Sequence, residues 1–166
     1  TPVQQKLDYV YRNGRKLLHI VNQLLDFRKA EAGAMPLHVT QVNVEELLQD
    51  AFALFKENAQ KRTISFHIKS DLEGRLFPAD KTYVETILMN LLSNAFKFTP
   101  DGGSISLSLW TEGDTYGFTV RDSGIGMSPE QLTRIFERFY QVDGQRKGTG
   151  IGLSLVKMLV EKHQIG

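Results

Sequence analysis

Asn90, Asn94 and Lys97 stand four and three residues apart in a stretch that reads as a helix. At roughly 100° per residue they share a stripe about 60° wide. Two carboxamides and an ammonium on one flank suit a metal-bound polyphosphate. An amide oxygen is a hard ligand for Mg²⁺, and lysine brings a point charge to phosphate oxygens. A solvated polar flank would look the same, so this stripe alone decides nothing. Further along, Asp122-Ser-Gly124-Ile-Gly126 directly follows a predicted strand. Its carboxylate can accept a hydrogen bond from an exocyclic amine such as that of adenine. Its glycines let backbone approach a flat ring, though an Asx-type turn would use the same residues.

A third run, Gly148-Thr149-Gly150-Ile151-Gly152, opens a predicted helix. Glycines there allow successive amide N–H groups to point one way, and the helix N-terminus adds positive potential. That makes a phosphate cradle without a Walker lysine, or simply a flexible helix entrance. Between the second and third runs lies Ile135-Phe136-Glu137-Arg138-Phe139-Tyr140. Its two phenylalanines either anchor a mobile lid or pack in the core, and composition alone favours the core.

These residues need elements to hold them. The chain has 166 residues, 41% hydrophobic and 23% charged, with net charge +1. That suits one compact domain with a short appendage. The near-zero charge gives no global attraction to nucleic acid or an anionic membrane, so an anionic ligand must be held locally. The absence of cysteine excludes disulfides, thiolate metal sites and a cysteine nucleophile. No apolar run is long enough to span a bilayer, and no signal peptide opens the chain.

Residues 4–31 read as a helix whose Leu7, Val10, Leu17, Leu18, Val21, Leu24 and Leu25 make a wide apolar stripe. Gly33 and Pro36 end it. A strand is expected within 37–44, then a helix over 44–61 capped by Asn43, then a strand over 63–69. A loop through Gly74 and Pro78 leads to a helix over 81–98, whose Val84, Ile87, Leu88, Leu91, Leu92, Ala95 and Phe96 form the buried face. Thr99-Pro-Asp-Gly-Gly103 stops it. Strands over 104–111 and 116–121 form a hairpin. Ser128-Pro129-Glu130 starts a helix running to about Phe136, and a last helix spans about 150–163.

In order and spacing these runs resemble the histidine kinase branch of the ATPase superfamily shared with gyrase, Hsp90 and MutL. Asn90-Leu-Leu-Ser-Asn94-Ala-Phe-Lys97-Phe98-Thr-Pro100 is similar to that family's N box. Asp122 to Gly126 resembles the G1 box, Phe136 and Phe139 the F box, and Gly148 to Leu153 the G2 box. The resemblance covers about residues 37–166. Upstream, Lys16-Leu-Leu-His19-Ile-Val-Asn-Gln-Leu-Leu-Asp26-Phe-Arg-Lys-Ala-Glu31 resembles the second helix of the kinase dimerisation bundle, in wording especially similar to Bacteroides-type hybrid two-component sensors. The His-Glu-x-Arg-x-Pro-Leu phosphoacceptor motif of the first bundle helix does not occur, and His19 falls in second-helix wording.

The resemblance implies an α+β fold: a two-layer α/β sandwich, a mixed sheet covered by helices on one face, preceded by one long helix. Residues 1–34 would be the bundle helix and 37–166 the ATP-binding domain without its final strand. The cofactors implied are ATP and Mg²⁺. Asn94 would ligate the metal, with Asn90 and Lys97 supporting the phosphates as the other catalytic residues. Phe98, Asp122, Gly124, Gly126, Phe139, Tyr140, Lys147, Gly148, Thr149, Gly150, Ile151, Gly152 and Leu153 would complete the nucleotide site. The implied reaction is phosphoryl transfer to a histidine on a bundle helix absent from this chain. The implied partners are that helix, a response-regulator receiver domain and a second copy of the full-length protein, in a cytoplasmic setting as part of a membrane-anchored sensor. Neither nucleic acid nor membrane contact by this stretch is expected. A hydrolysing relative would carry glutamate at the position of Asn90, which cannot accept a proton at neutral pH. A non-catalytic nucleotide-binding scaffold is the third reading. Phe98 stands where tyrosine is common, and the stretch from Tyr140 to Gly148 is short for a lid.

Overall fold

The structure is a computed structural model that describes residues 2–34, 36–70, 72, 74–113, 115–142 and 148–164. The side chains of Arg12, Arg15, Lys16, His19 and Gln164 lie outside that description. In chain order the elements are α1 (Pro2–Glu31), β1 (Thr40–Asn43), α2 (Val44–Lys61), β2 (Ser65–Ser70), β3 (Leu76–Ala79), α3 (Lys81–Phe98), β4 (Ser104–Glu112), β5 (Thr115–Asp122), α4 (Pro129–Arg134) and α5 (Gly152–Gln164).

Capping sets several of these boundaries. Asn43 accepts the Glu46 backbone N–H at 3.3 Å and starts α2. Asp80 accepts that of Tyr83 at 3.1 Å and starts α3. Ser128 and Gln131 form a reciprocal capping box ahead of α4, with Pro129 in its first turn. Two expected boundaries shift for local reasons. The strand expected from Thr63 begins at Ser65, because Thr63 takes a left-handed conformation with φ 53°. The last helix begins at Gly152, because Gly150 has φ +69°.

The one element the sequence reading missed is β3. Pro78, expected in a loop, pairs with Gln41 in an antiparallel two-stranded sheet of β1 and β3. A two-stranded ladder leaves an outer edge on each strand, where a missing N–H is tolerated. The remaining strands make a mixed sheet in the order β2-β4-β5, with β2 parallel to β4 and β4 antiparallel to β5.

Alternation along β4 turns Ile105, Leu107 and Leu109 inward and leaves Trp110 half-exposed. Leu107 and Leu109 pack with Leu47, Leu48 and Ala51 of α2 and Val84, Leu88 and Leu92 of α3, with Phe66, Ile68, Phe118 and Val120 at the margin. Helices thus cover one face of the sheet. A second cluster joins Tyr83 and Ile87 of α3 to Leu155, Val156 and Leu159 of α5. Phe27 and Ala30 from the last turns of α1 complete it. The rest of the α1 stripe, from Leu7 through Leu25, stays exposed. No helix among the described residues is long and apolar enough to cross a membrane.

Candidate nucleotide site

Helix α3 presents the first set of polar groups because its other face is committed to both core clusters. Asn90 donates through Nδ2 to the Thr86 carbonyl at 2.8 Å. Its Oδ1 accepts from Gln23 Nε2 of α1 at 3.1 Å. The Asn94 carboxamide, one turn on, is half-buried and meets no hydrogen-bonding partner among the described residues. Lys97 in the last turn lies with its ammonium 4.5 Å from the centroid of the Phe98 ring.

Four glycine contacts gather the other segments around this helix. A Cβ on Gly148 would fall 2.6 Å from Lys97 Nζ, and one on Gly152 would fall 2.7 Å from Asn90 Oδ1. A Cβ on Gly124 would meet Asp122 Oδ1 at 2.6 Å and the Phe98 carbonyl oxygen at 2.8 Å. A Cβ on Gly150 would meet the Phe139 carbonyl carbon at 2.6 Å. At each position the missing side chain is what allows the approach. The segments that sequence order alone separates, from Asn90 to Leu153, therefore close on one another.

The loop after β5 turns tightly, with the Gly124 N–H bonded to Asp122 Oδ1 at 2.8 Å. Asp122 remains exposed, and Gly126 has φ +69° with open space around it. At the entrance of α5 the Ile151 N–H reaches Thr149 Oγ1 at 3.3 Å. The Thr149 hydroxyl donates to Gln23 Oε1 at 3.1 Å. Leu153 is half-buried in the first turn of α5.

Phe136 and Phe139 do not pack in the core: they are 44% and 65% exposed. Phe139 has φ 59°, a costly conformation for a bulky residue. Its N–H bonds the Gly150 carbonyl at 2.9 Å, which holds that conformation in place. Tyr140 is half-buried beneath the Arg134 guanidinium, 4.4 Å from its ring centroid. Gln141 donates to the Gly148 carbonyl at 2.8 Å. Lys147 lies outside the described residues.

This arrangement fits a metal–nucleotide complex on its own terms. The glycine approaches bring the α5 entrance close to the α3 flank, and the Gln23 side chain bridges Asn90 and Thr149 between them. Among the described residues, no group of three His, Asp or Glu side chains could hold a metal unaided. One free amide oxygen at Asn94 suits Mg²⁺ that takes its other ligands from phosphate and water.

Sequence reasoning missed Gln23, Glu31, Arg138 and Gln141. Arg138 pairs with Glu31 at 2.5 Å and lies 4.8 Å from the centroid of the Phe27 ring. Periodicity marks Gln23 and Glu31 only as polar positions on an amphipathic helix. Nothing in the local pattern says that α3, Arg138 and the α5 entrance fold against them.

Comparison with known proteins agrees with this fold. The profile of the family described as histidine kinase-, DNA gyrase B-, and HSP90-like ATPase matches residues 79–166. Histidine kinase P4 of Formosa agariphila is 33% identical over 98% of this chain and 12% of that protein. The circadian input-output histidine kinase CikA of Synechococcus elongatus is 37% identical over 93% of this chain and 21% of that protein. Hybrid signal transduction histidine kinase D of Dictyostelium discoideum is 38% identical over 97% of this chain and 11% of that protein. The chain thus spans about a fifth or less of the length of these relatives. Among solved structures, full-length ShkA in complex with AMPPNP superposes with a TM-score of 0.84 at 30% identity, over 97% of this chain and 34% of that one. The catalytic domain of histidine kinase ThkA superposes with a TM-score of 0.69 at 30% identity, over 75% of this chain and 81% of that one. By its four ordered motifs, its fold and a family match over more than half its length, the chain belongs to the histidine kinase-, DNA gyrase B- and HSP90-like ATPases.

Proposed function

We propose that this chain is the ATP-binding catalytic part of a sensor histidine kinase, with residues 1–34 as the second helix of the dimerisation bundle and 37–166 as the catalytic domain. The reading rests on one observation above the others. Glycine contacts bring Lys97 and Asn90 against Gly148 and Gly152 and bring Phe98 against Gly124 beside Asp122, while the Asn94 carboxamide stays uncommitted among the described residues on the same helix flank. Bound Mg²⁺–ATP supplies the γ-phosphoryl group. Asn94 offers one oxygen to the metal. Lys97 and Asn90 face the phosphates, and the amides of Gly150, Ile151 and Gly152 at the start of α5 hold phosphate oxygens. Asp122 accepts from the adenine amine while Gly124 and Gly126 allow the ring to approach. Phe98, Phe139, Tyr140, Gly148, Thr149 and Leu153 enclose the rest, and Lys147, outside the described residues, belongs to the same set by its place in the sequence.

The acceptor in this reading is a histidine on a bundle helix outside this chain. Phosphoryl transfer then asks mainly for alignment and charge stabilisation. Hydrolysis of the gyrase kind is disfavoured, because Asn90 occupies the position from which a carboxylate would activate water. The receiver domain of a response regulator, a second copy of the full-length protein and a cytoplasmic, membrane-anchored setting follow from the same reading.

Titration with a non-hydrolysable ATP analogue tests it. Saturable binding that depends on Mg²⁺ in the wild type, and loses that dependence in Asn94→Ala, is expected. Adenine preference over guanine should vanish in Asp122→Ala. Equal binding of ATP and GTP by the wild type would remove the role given to Asp122.

A further inference from the structure

Helices α3 and α5 run antiparallel and meet at both ends. At one end a Cβ on Gly152 would fall 2.7 Å from Asn90 Oδ1. At the other, His163 Nε2 accepts the backbone N–H of Asp80 at 3.1 Å. Between them the contact is apolar, through Tyr83 and Ile87 of α3 and Leu155, Val156 and Leu159 of α5. The two ends match in length. Asp80 lies ten residues before Asn90 and His163 eleven after Gly152, about 15 and 16.5 Å along the two axes at ~1.5 Å per residue.

Apolar contact is non-directional, so the middle of this pair resists separation more than sliding. The polar contacts at the ends set the register. The contact at His163 has a defined chemistry. Its Nδ1 lies 3.0 Å from the Leu159 carbonyl, which can only accept, and its Nε2 meets an amide that can only donate. Both partners are satisfied by the neutral ring with its proton on Nδ1. Asp80 is 4% exposed, and its carboxylate caps α3 through the Tyr83 N–H. The His163 ring also meets the Tyr83 ring edge-on, with centroids 5.5 Å apart. His163 therefore grips the residue from which α3 starts.

We propose that His163 is a positioning residue for the nucleotide site, acting through Asp80 on the register of α5 along α3. The inference rests on the site being a nucleotide site. There the amides of Ile151 and Gly152 at the start of α5 and the carboxamide of Asn94 on α3 must reach one polyphosphate. A slide of α5 against α3 moves those amides relative to Asn94 by the same amount, and a misplacement of about 1 Å is costly to such alignment. The pin sits at the far end of both helices and fixes that spacing from outside the site.

The first measurement is binding of a fluorescent ATP analogue to this chain in Mg²⁺. Absence of saturable binding would overturn the nucleotide reading and this inference with it. Given binding, His163→Leu should weaken it about threefold to tenfold, the equilibrium range of one modest hydrogen bond. His163→Gln can return an oxygen acceptor to the Asp80 N–H and should recover most of that loss. Leu47→Ala, in the core cluster away from α5, lowers stability without touching the register and should leave the affinity of the folded chain unchanged. Nitrogen NMR should show the His163 ring proton on Nδ1. Hydrogen exchange at the Asp80 amide should quicken in His163→Leu and slow again in His163→Gln. Unchanged affinity in His163→Leu, equal losses in His163→Leu and Leu47→Ala, or no recovery by His163→Gln would show that His163 only satisfies a buried amide. A ring proton on Nε2 would remove the contact from which the register argument starts.

Discussion

Lys97 crosses from the end of α3 to the glycine that opens the loop ahead of α5, with its Nζ 2.6 Å from where a Gly148 Cβ would stand. Two residues on, Gly150 sits as closely against the backbone of Phe139, and the Phe139 N–H bonds its carbonyl. The two contacts differ in what can yield. A lysine tip moves at little cost, whereas backbone does not.

Gly150→Ala should therefore weaken binding of an ATP analogue by about tenfold or more, since its φ of +69° and the Phe139 backbone at 2.6 Å both resist a side chain. Gly148→Ala carries its own backbone strain at φ +136° but meets a side-chain tip and not backbone, so it should cost less. Isothermal titration of both variants orders them. A larger loss for Gly148→Ala would mean that the φ of +136° at that position matters more than either contact.

Asn90 and Asn94 are predicted to behave differently although they share a flank. The Asn90 carboxamide is engaged on both atoms, by the Thr86 carbonyl and by Gln23. Asn94 is uncommitted among the described residues. Titrations of ATP analogue with Mg²⁺ and with a chelator should show the metal's benefit lost in Asn94→Ala and retained in Asn90→Ala. The reverse pattern would exchange the two roles.

Arg62 is predicted to be a principal stabiliser of the α3 terminus. It donates to the Phe96 carbonyl, to the Thr99 carbonyl at 2.6 Å and to Asp101 Oδ1 at 2.7 Å. Carbonyls at a helix end have no partner within the helix, and bonds from a charged donor to them are worth more than neutral ones. Arg62→Ala should lower stability by about 2 kcal/mol in urea unfolding. Asp101→Ala, which removes only an exposed ion pair, should cost well under about 1 kcal/mol. Equal losses would place the effect in the ion pair.

The helix α3 span and the glycine runs were legible in sequence because each depends on local rules. A buried period of three to four marks α3, and Asp80 and the Thr99–Gly103 turn bound it. The strand through Pro78 was hidden because proline argues against a strand, and only its pairing with Gln41 in a two-stranded edge ladder permits it. The exposure of Phe136 and Phe139 was also hidden. Composition places phenylalanine in the core, and Phe139 is kept out by a left-handed turn tied to Gly150. The role of Gln23 was invisible for a third reason: its partners lie 67 and 126 residues away.

The stripe on α1 carries the last prediction. Its final turns fold back on the domain, where Phe27 and Ala30 are buried against α5. That docking leaves Leu7, Val10, Leu17, Leu18, Val21, Leu24 and Leu25 facing solvent. Contiguous apolar surface of this kind is unusual on a monomer. Burying even four such side chains is worth roughly 1.5–3 kcal/mol each before entropic costs, enough to draw two copies together at moderate concentration. Light scattering should give a dimer for this chain and a monomer for a version beginning at Leu37. Leu17→Ser with Leu18→Ser should return the longer chain to a monomer while leaving the Phe27 contact intact. A monomeric long chain with an ordered helix by circular dichroism would show that the stripe tolerates water without a second copy.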